Sequence, residues 1–184
     1  MADTSWIPIA SAGVGAAIAL AGTVVSSVRS DRAQRSRDRE LERLSTYVDF
    51  AVAIHDAHSA LRDVARAVTN PKERAVAAGQ TLQDSKVYGI RERLLMSATI
   101  EMARASESVF FALIGIRDAV RAGTDLSGAA YHDAYHVFAD VIWKFRIAAR
   151  QELSQRPIAP ADLGRITWSE REECPVCGQS VSSA

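Results

Sequence analysis

Residues 47–68 read YVDFAVAIHDAHSALRDVARAV, and their larger apolar side chains recur at alternating steps of three and four. This spacing places them along one face of an α-helix, which is the pattern of a helix packed into a bundle core. The predicted core positions are Tyr47, Phe50, Ile54, Ala57, Leu61, Val64 and Val68. A second apolar stripe on another side of the helix predicts burial by a second neighbour, and it consists of Leu41, Leu44, Val48 and Val52.

The chain that follows predicts two more helices. Asn70 followed by Pro71 and Glu73 is typical of a helix end followed at once by the N-cap of a shorter helix, which runs to about Leu82. A loop is predicted next, and then a long helix that ends before Gly123, a residue type favoured as a C-terminal cap. The predicted core stripe of this helix is Leu95, Ala98, Met102, Ala105, Val109, Leu113, Ile116 and Val120.

A last long helix is predicted after the cap candidates Thr124, Asp125 and Ser127. Its predicted buried face is Tyr131, Tyr135, Phe138, Val141, Ile142, Phe145 and Ala149. Composition agrees with an all-α fold, because 48% of the residues are hydrophobic but only 7% are aromatic. Ala, Val, Ile and Leu therefore dominate, which favours helices over a sheet. Three long helices and one short helix predict an up-and-down bundle.

The N-terminal segment predicts a transmembrane helix. Residues 6–28 carry no charged side chain, and a helix of that length spans about 34 Å, enough for a hydrocarbon core of about 30 Å. Within it, residues 11–22 read SAGVGAAIALAG, but a dinucleotide-binding loop would need a third glycine where Ile18 stands. A cleaved signal peptide is the stronger alternative, although residues 1–5 lack the positive charge it requires.

The same segment carries small side chains at four-residue spacing, namely Ser11, Gly15, Ala19 and Thr23. Such a stripe allows a second helix to approach closely, so self-association within a bilayer is one interpretation, and a chance match in an alanine-rich span is the other.

The segment after the span, residues 29–44, reads RSDRAQRSRDRELERL. Its arginines predict, by the positive-inside rule, a single-pass protein of the cell membrane with its N-terminus outside and its C-terminus in the cytoplasm. The interleaved charges predict a solvated juxtamembrane helix whose arginines also contact anionic headgroups. The predicted organisation is an anchor at 1–28, a juxtamembrane helix and bundle at 29–155, and a flexible tail at 156–184. Trp168 in that tail is the residue expected to dock back on the bundle.

Both cysteines lie in the tail, in the sequence Cys174-Pro175-Val176-Cys177-Gly178. This C-P-x-C-G sequence resembles the knuckle of zinc-ribbon proteins, in which two thiolates on a tight turn bind the metal. The resemblance covers five residues, and the chain lacks the second knuckle of that family. It implies zinc as a cofactor, with the remaining ligands supplied by a second chain, by a partner protein or by histidines of this chain.

His132 and His136 are the candidate histidines, because a separation of four residues on a helix lets two imidazoles reach one ion. With Cys174 and Cys177 they form a predicted Cys2His2 set. On a helical wheel both lie away from the apolar face, so they are expected to be exposed. The alternatives are a free CxxC pair and a glutaredoxin-like redox centre, which would require a thiol at the start of a helix in an α/β fold.

The sequence predicts that the protein is not an enzyme. His55 and His58 lie three residues apart but lack the Glu-x-x-His motif of carboxylate-bridged bundle sites, so they are predicted to be ordinary histidines. The formal net charge of zero gives no indication of nucleic-acid binding.

The layout as a whole resembles small membrane-anchored helical-bundle proteins of GC-rich bacteria that have a single N-terminal span. The predicted function is that of a membrane-anchored cytoplasmic interaction or scaffold protein. Its predicted partners are the membrane and either further copies of the chain or another protein. The alternative is a zinc-binding or metal-responsive module.

Overall fold

The computed structural model describes the backbone of residues 7–177 and the side chains of residues 29–177. Its helices are α1 (Ile7–Ala67), α2 (Pro71–Asp84), α3 (Val87–Ser97), α4 (Ile100–Arg121) and α5 (Ala129–Glu152), followed by a 3-10 helix at Pro160–Leu163. The described residues contain no β-strand, which confirms the all-α prediction for that part of the chain. The chain divides into two compact units, Met1–Glu42 and Arg43–Ala184.

In the first unit, every described side chain of residues 29–42 is exposed, as expected for a solvated charged segment. The predicted span at residues 6–28, with its stripe of small residues, lies outside the side chains that the structure describes. Across the part of the chain that is described, none of the helices combines the length and the apolar character that crossing a membrane requires.

In the second unit, the stretch quoted above forms the centre of the core. Tyr47, Phe50, Ile54, Ala57 and Leu61 are buried as predicted, while Val64 and Val68 are only partly buried. The ring of Phe145 on α5 lies 5.1 Å from that of Phe50 and 6.4 Å from that of Tyr47, measured between centroids. Each fully buried Phe, Ile or Leu side chain in this core stabilises the fold by about 1.5–3 kcal/mol.

The prediction that a second neighbour buries the other apolar stripe of α1 is wrong. These four side chains are 39–63% exposed, and they are Leu41, Leu44, Val48 and Val52. The core side chains of α1 lie on the face that carries Phe50 and Ile54, so the other stripe stays outside the core. Periodicity shows that a helix has an apolar face, but it does not show that another element of the same chain covers that face.

The predicted start of α2 is confirmed. Asn70 Oδ1 accepts hydrogen bonds from the backbone N–H groups of Lys72 at 3.0 Å and Glu73 at 3.3 Å, and Pro71 occupies the first turn. The predicted loop after Leu82 is wrong, because residues 87–97 form α3, which buries Val87 and Leu94. Only these two side chains of the short helix are fully buried. The next long helix starts only at Ile100, after the cap residue Thr99.

The connection between α4 and α5 contains the predicted glycine cap. Gly123 has φ of 88°, a conformation that strains residues with a Cβ atom. The predicted side-chain cap of α5 is wrong, since Gly128 stands at the N-cap and makes no side-chain hydrogen bond. The two helices pack against each other, α2 packs against α4, and α3 contacts both α2 and α4.

Arg74 on α2 is a buried residue that ties these elements together and that no sequence pattern indicated. Its guanidinium donates to three backbone carbonyls, those of Val68 at 2.6 Å, Gly123 at 2.9 Å and Ala65 at 3.1 Å. It also lies 3.6 Å from Oδ1 of Asp125, an exposed carboxylate. The end of α1 and the connection after α4 are thereby joined to α2 through one charged side chain.

Candidate metal centre

Three of the four predicted metal ligands converge in the second unit. The ligand atoms of His132, His136 and Cys174 all lie within 4.8 Å of one another. His132 and His136 are one turn apart on α5, and Cys174 begins the turn of the tail that contains the C-P-x-C sequence. Nδ1 of His132 lies 3.2 Å from Sγ of Cys174. In a tetrahedral zinc site, the ordinary Zn–S and Zn–N bond lengths place such a pair about 3.6 Å apart, so the observed separation is close to the one that zinc requires.

Cys177, the fourth predicted ligand, lies beside this group. Its thiol donates a hydrogen bond to Oδ1 of Asp133, with its Sγ 3.9 Å from that oxygen. The sulfur of Cys174 is near enough to affect the pKa of this thiol. Both cysteines are buried and neither forms a disulfide. The turn of the tail therefore places Cys177 next to Cys174, but the group of ligand atoms within 4.8 Å of one another contains His132, His136 and Cys174 and not Cys177.

The ring of His136 is oriented by the tail. Its Nδ1 lies 2.6 Å from the backbone carbonyl oxygen of Ser169, so the proton of the neutral ring is on Nδ1 and the lone pair is on Nε2. Among buried side-chain nitrogen and oxygen atoms in the described residues, Nε2 of His136 is the one without a hydrogen-bond partner. A carbonyl behind one nitrogen and a free lone pair on the other is the usual arrangement of a metal-ligating histidine.

The two thiols differ in acidity. Burial raises the pKa of Cys174, but hydrogen bonds to its sulfur, those from the backbone N–H groups of Cys177 and Val176 among them, outweigh it and lower the pKa to about 6. Burial, the sulfur of Cys174 and the carboxylate of Asp133 raise the pKa of Cys177. Cys174 is thus held as the thiolate, which is the state that binds metal ions.

The tail up to residue 177 packs on α5. The rings of Trp168 and Trp143 are stacked with centroids 4.4 Å apart and an angle of 16° between their planes. Arg171 of the tail donates a hydrogen bond to Oδ1 of Asp133 at 2.6 Å. Asp133 lies between the two histidines in the sequence. The expectation that Trp168 docks back on the bundle is confirmed.

The prediction that the two histidines are exposed is wrong. His136 is 4% exposed and His132 is partly buried. The helical wheel placed them away from the face that packs against α1 and α4, but the tail covers that side of α5 through Ser169 and Cys174. Because the tail has no periodic apolar pattern, the sequence did not indicate a cover for this face.

An open cleft of about 710 Å³ adjoins the cluster, and α1, α5 and the tail form its walls. His132, His136 and Cys174 line one part of it, and the guanidinium groups of Arg146 and Arg165 line another. Sequence reasoning missed the two arginines, because Arg165 reaches the cleft only through the docking of the tail.

The second histidine pair lies outside the cluster of His132, His136 and Cys174. His55 is exposed, whereas His58 is buried and its Nε2 lies 3.2 Å from the hydroxyl of Tyr131. Burial, followed by the charges of Arg62 and His55, lowers the pKa of His58 to about 4, so it is neutral at physiological pH. Its ring stacks on Tyr135 with centroids 5.8 Å apart. His58 is therefore an ordinary core histidine, as the sequence predicted.

Comparison with models of protein families, with curated proteins and with solved structures finds no match.

Proposed function

We propose that this protein is a membrane-anchored helical module whose C-terminal tail is fixed to its bundle by one zinc ion, bound by His132, His136, Cys174 and Cys177. The convergence of two imidazoles and a thiolate within 4.8 Å is the observation that carries the proposal. It joins residues that lie 42 apart in the sequence.

The chemistry of these side chains favours zinc. Two thiolates and two neutral imidazoles form one of the common ligand sets of structural zinc sites, and two thiolates neutralise the charge of the ion. Without a cation, the lone pair of His136 Nε2 has no partner and lies close to a thiolate that is also an acceptor. An ion at this point satisfies both groups.

The proposed role of the ion is structural rather than catalytic. Four protein ligands close the coordination sphere of zinc, whereas a catalytic zinc keeps one position open for water or substrate. A structural ion here holds residues 156–177 on α5, where the tail forms one wall of the cleft.

The zinc content of the purified protein tests this proposal. We expect one zinc per chain under reducing conditions, and close to none in Cys174→Ser or His136→Gln, because each change removes a ligand. Cys177→Ser is expected to weaken zinc binding by about 10-fold or more, because it removes the fourth ligand. His55→Gln is the matched control, since His55 is exposed and outside the cluster, and it should leave the zinc content unchanged. The proposal is refuted if the wild-type protein contains no zinc, or if Cys174→Ser still contains one zinc per chain.

The second part of the proposal concerns the membrane. The uncharged residues 6–28 and the exposed arginines that follow support an anchor with a cytoplasmic bundle that works as an interaction or scaffold protein. The exposed apolar side chains of Leu44, Val48 and Val52 support an interaction role for α1, with a second copy of the chain as the proposed partner.

A pair of reporters fused to the C-terminus tests the orientation. We expect a reporter that is active only in the cytoplasm to give signal there, and a reporter that requires export to give none, because the arginines after residue 28 hold that side inside. Moving these arginines to positions before Trp6 is expected to invert both signals. An active export-dependent reporter on the unchanged chain contradicts the orientation.

A further inference from the structure

Two arginines share one tryptophan at the end of the cleft away from the histidines. The guanidinium carbon of Arg146 lies 4.5 Å from the ring centroid of Trp143, and that of Arg165 lies 5.6 Å from it. Trp168 stacks on the same ring at 4.4 Å, which leaves no space for a guanidinium between the two indoles. Both cations are therefore on the other side of Trp143, close to each other.

Their charges are only partly neutralised. Arg165 pairs with Glu170 at 2.7 Å. Within residues 29–177, Arg146 has neither an ion pair nor a hydrogen bond. Burial lowers the pKa of Arg146, and the charge of Arg165 lowers it further, although the guanidinium remains charged. An oxyanion placed between the two groups would relieve their repulsion.

The setting of this pair is that of a small-molecule site. The cleft of about 710 Å³ is within the range of about 300–1,000 Å³ that ligand pockets occupy. Ile142, one turn before Arg146 on α5, lines it beside that cation, and Phe138 and the ring of Tyr135 provide further apolar lining toward the histidines. Arg146 is ten residues beyond His136 on α5, about 15 Å along the helix, so the cationic end is separate from the metal centre.

We propose that Arg146 and Arg165 bind the phosphate group of a phosphate monoester in this cleft. A guanidinium presents a planar set of N–H donors that matches phosphate oxygens, and stacking on Trp143 holds both donors in place. A phosphate monoester offers three terminal oxygens and a charge of about −1.5 to −2, so it serves two guanidinium groups better than a single carboxylate does. This site goes beyond the proposed function and rests on it in one respect, because Arg165 belongs to the tail that the proposed ion holds on α5.

Binding of glycerol 3-phosphate to the full chain in detergent, measured by calorimetry, tests the site. We expect one binding site per chain, with affinity reduced about tenfold or more in Arg146→Gln and in Arg165→Gln, because each loses a charged donor. The double variant should show no binding. Arg104→Gln is the matched control, since within residues 29–177 Arg104 also lacks an ion pair but lies outside the cleft. It should bind as the wild type does.

Vesicles identify the source of the phosphate. Binding to phosphatidic acid in preference to phosphatidylglycerol, with loss in Arg146→Gln, assigns the site to a lipid monoester, whereas binding of glycerol 3-phosphate alone assigns it to a soluble one. Absence of binding to both probes, equal weakening by Arg104→Gln, or tighter binding of succinate than of glycerol 3-phosphate overturns the inference. The zinc content of each sample is measured in parallel, so phosphate binding by a chain without zinc refutes the zinc proposal and leaves this one standing.

Discussion

Removal of zinc by a chelator is expected to release residues 156–177 from α5 while the helices of the bundle stay folded. Zinc at a structural site contributes an apparent binding free energy of about 10–16 kcal/mol. The remaining tail contacts are weaker, because the exposed ion pair of Arg171 with Asp133 contributes about 1 kcal/mol or less. The stack of Trp168 on Trp143 adds about 1 kcal/mol beyond the area it buries.

Limited trypsin digestion measures the release. Cleavage after Arg165 and Arg171 is expected to accelerate about tenfold or more when the chelator is added, because a released segment can enter the active site of the protease and a docked one cannot. Cleavage after the buried Arg74 is the internal control, and it should stay slow in both conditions. Equal cleavage of the tail with and without zinc, in protein shown to contain the ion, contradicts the proposed role of the ion.

Replacing Arg74 with methionine is expected to lower the free energy of unfolding by about 3–5 kcal/mol, because it leaves buried polar groups without their charged partner. The change removes the donor to the carbonyls of Val68, Gly123 and Ala65. Urea unfolding of zinc-saturated protein, followed by circular dichroism, gives the value. The free energy of unfolding of Arg74→Lys should lie between that of the wild type and that of Arg74→Met, since an ammonium on a flexible stem does not match the planar donor set of a guanidinium.

Arg66→Met is the matched control for this prediction. Arg66 is exposed, and among the residues whose side chains are described its one ion pair is with Asp63 on the surface of α1. Its removal should therefore change stability by about 0.5 kcal/mol or less. If Arg74→Met unfolds within about 1 kcal/mol of the wild type, the three carbonyls find other partners and Arg74 does not hold this junction.

The parts of the fold that the sequence predicted correctly depend on local rules. The steps of three and four from Tyr47 to Leu61 predicted the core face of α1, and Asn70 predicted a cap from residue type alone. The failures concern what lies against each helix. The stripe through Val48 has the same periodicity as the buried one, yet it is exposed. Periodicity is a property of one element, whereas burial depends on two.

The candidate metal centre shows the same limit. The spacing of Cys174 with Cys177, and of His132 with His136, predicted which residues to consider as ligands. Neither spacing indicated that the tail would fold over His136 and bury it. The carbonyl of Ser169 that orients the His136 ring could not be predicted from the sequence, because every residue type supplies a backbone carbonyl.

X-ray absorption at the zinc edge of the purified, zinc-loaded protein tests the central claim most directly. The proposed site predicts two sulfur ligands at about 2.3 Å and two imidazole nitrogens at about 2.0 Å in a four-coordinate shell. A shell of four sulfur atoms would mean that two chains share the ion through their cysteine pairs. That result, or a shell of oxygen and nitrogen alone, would contradict a zinc ion held between α5 and the tail of one chain.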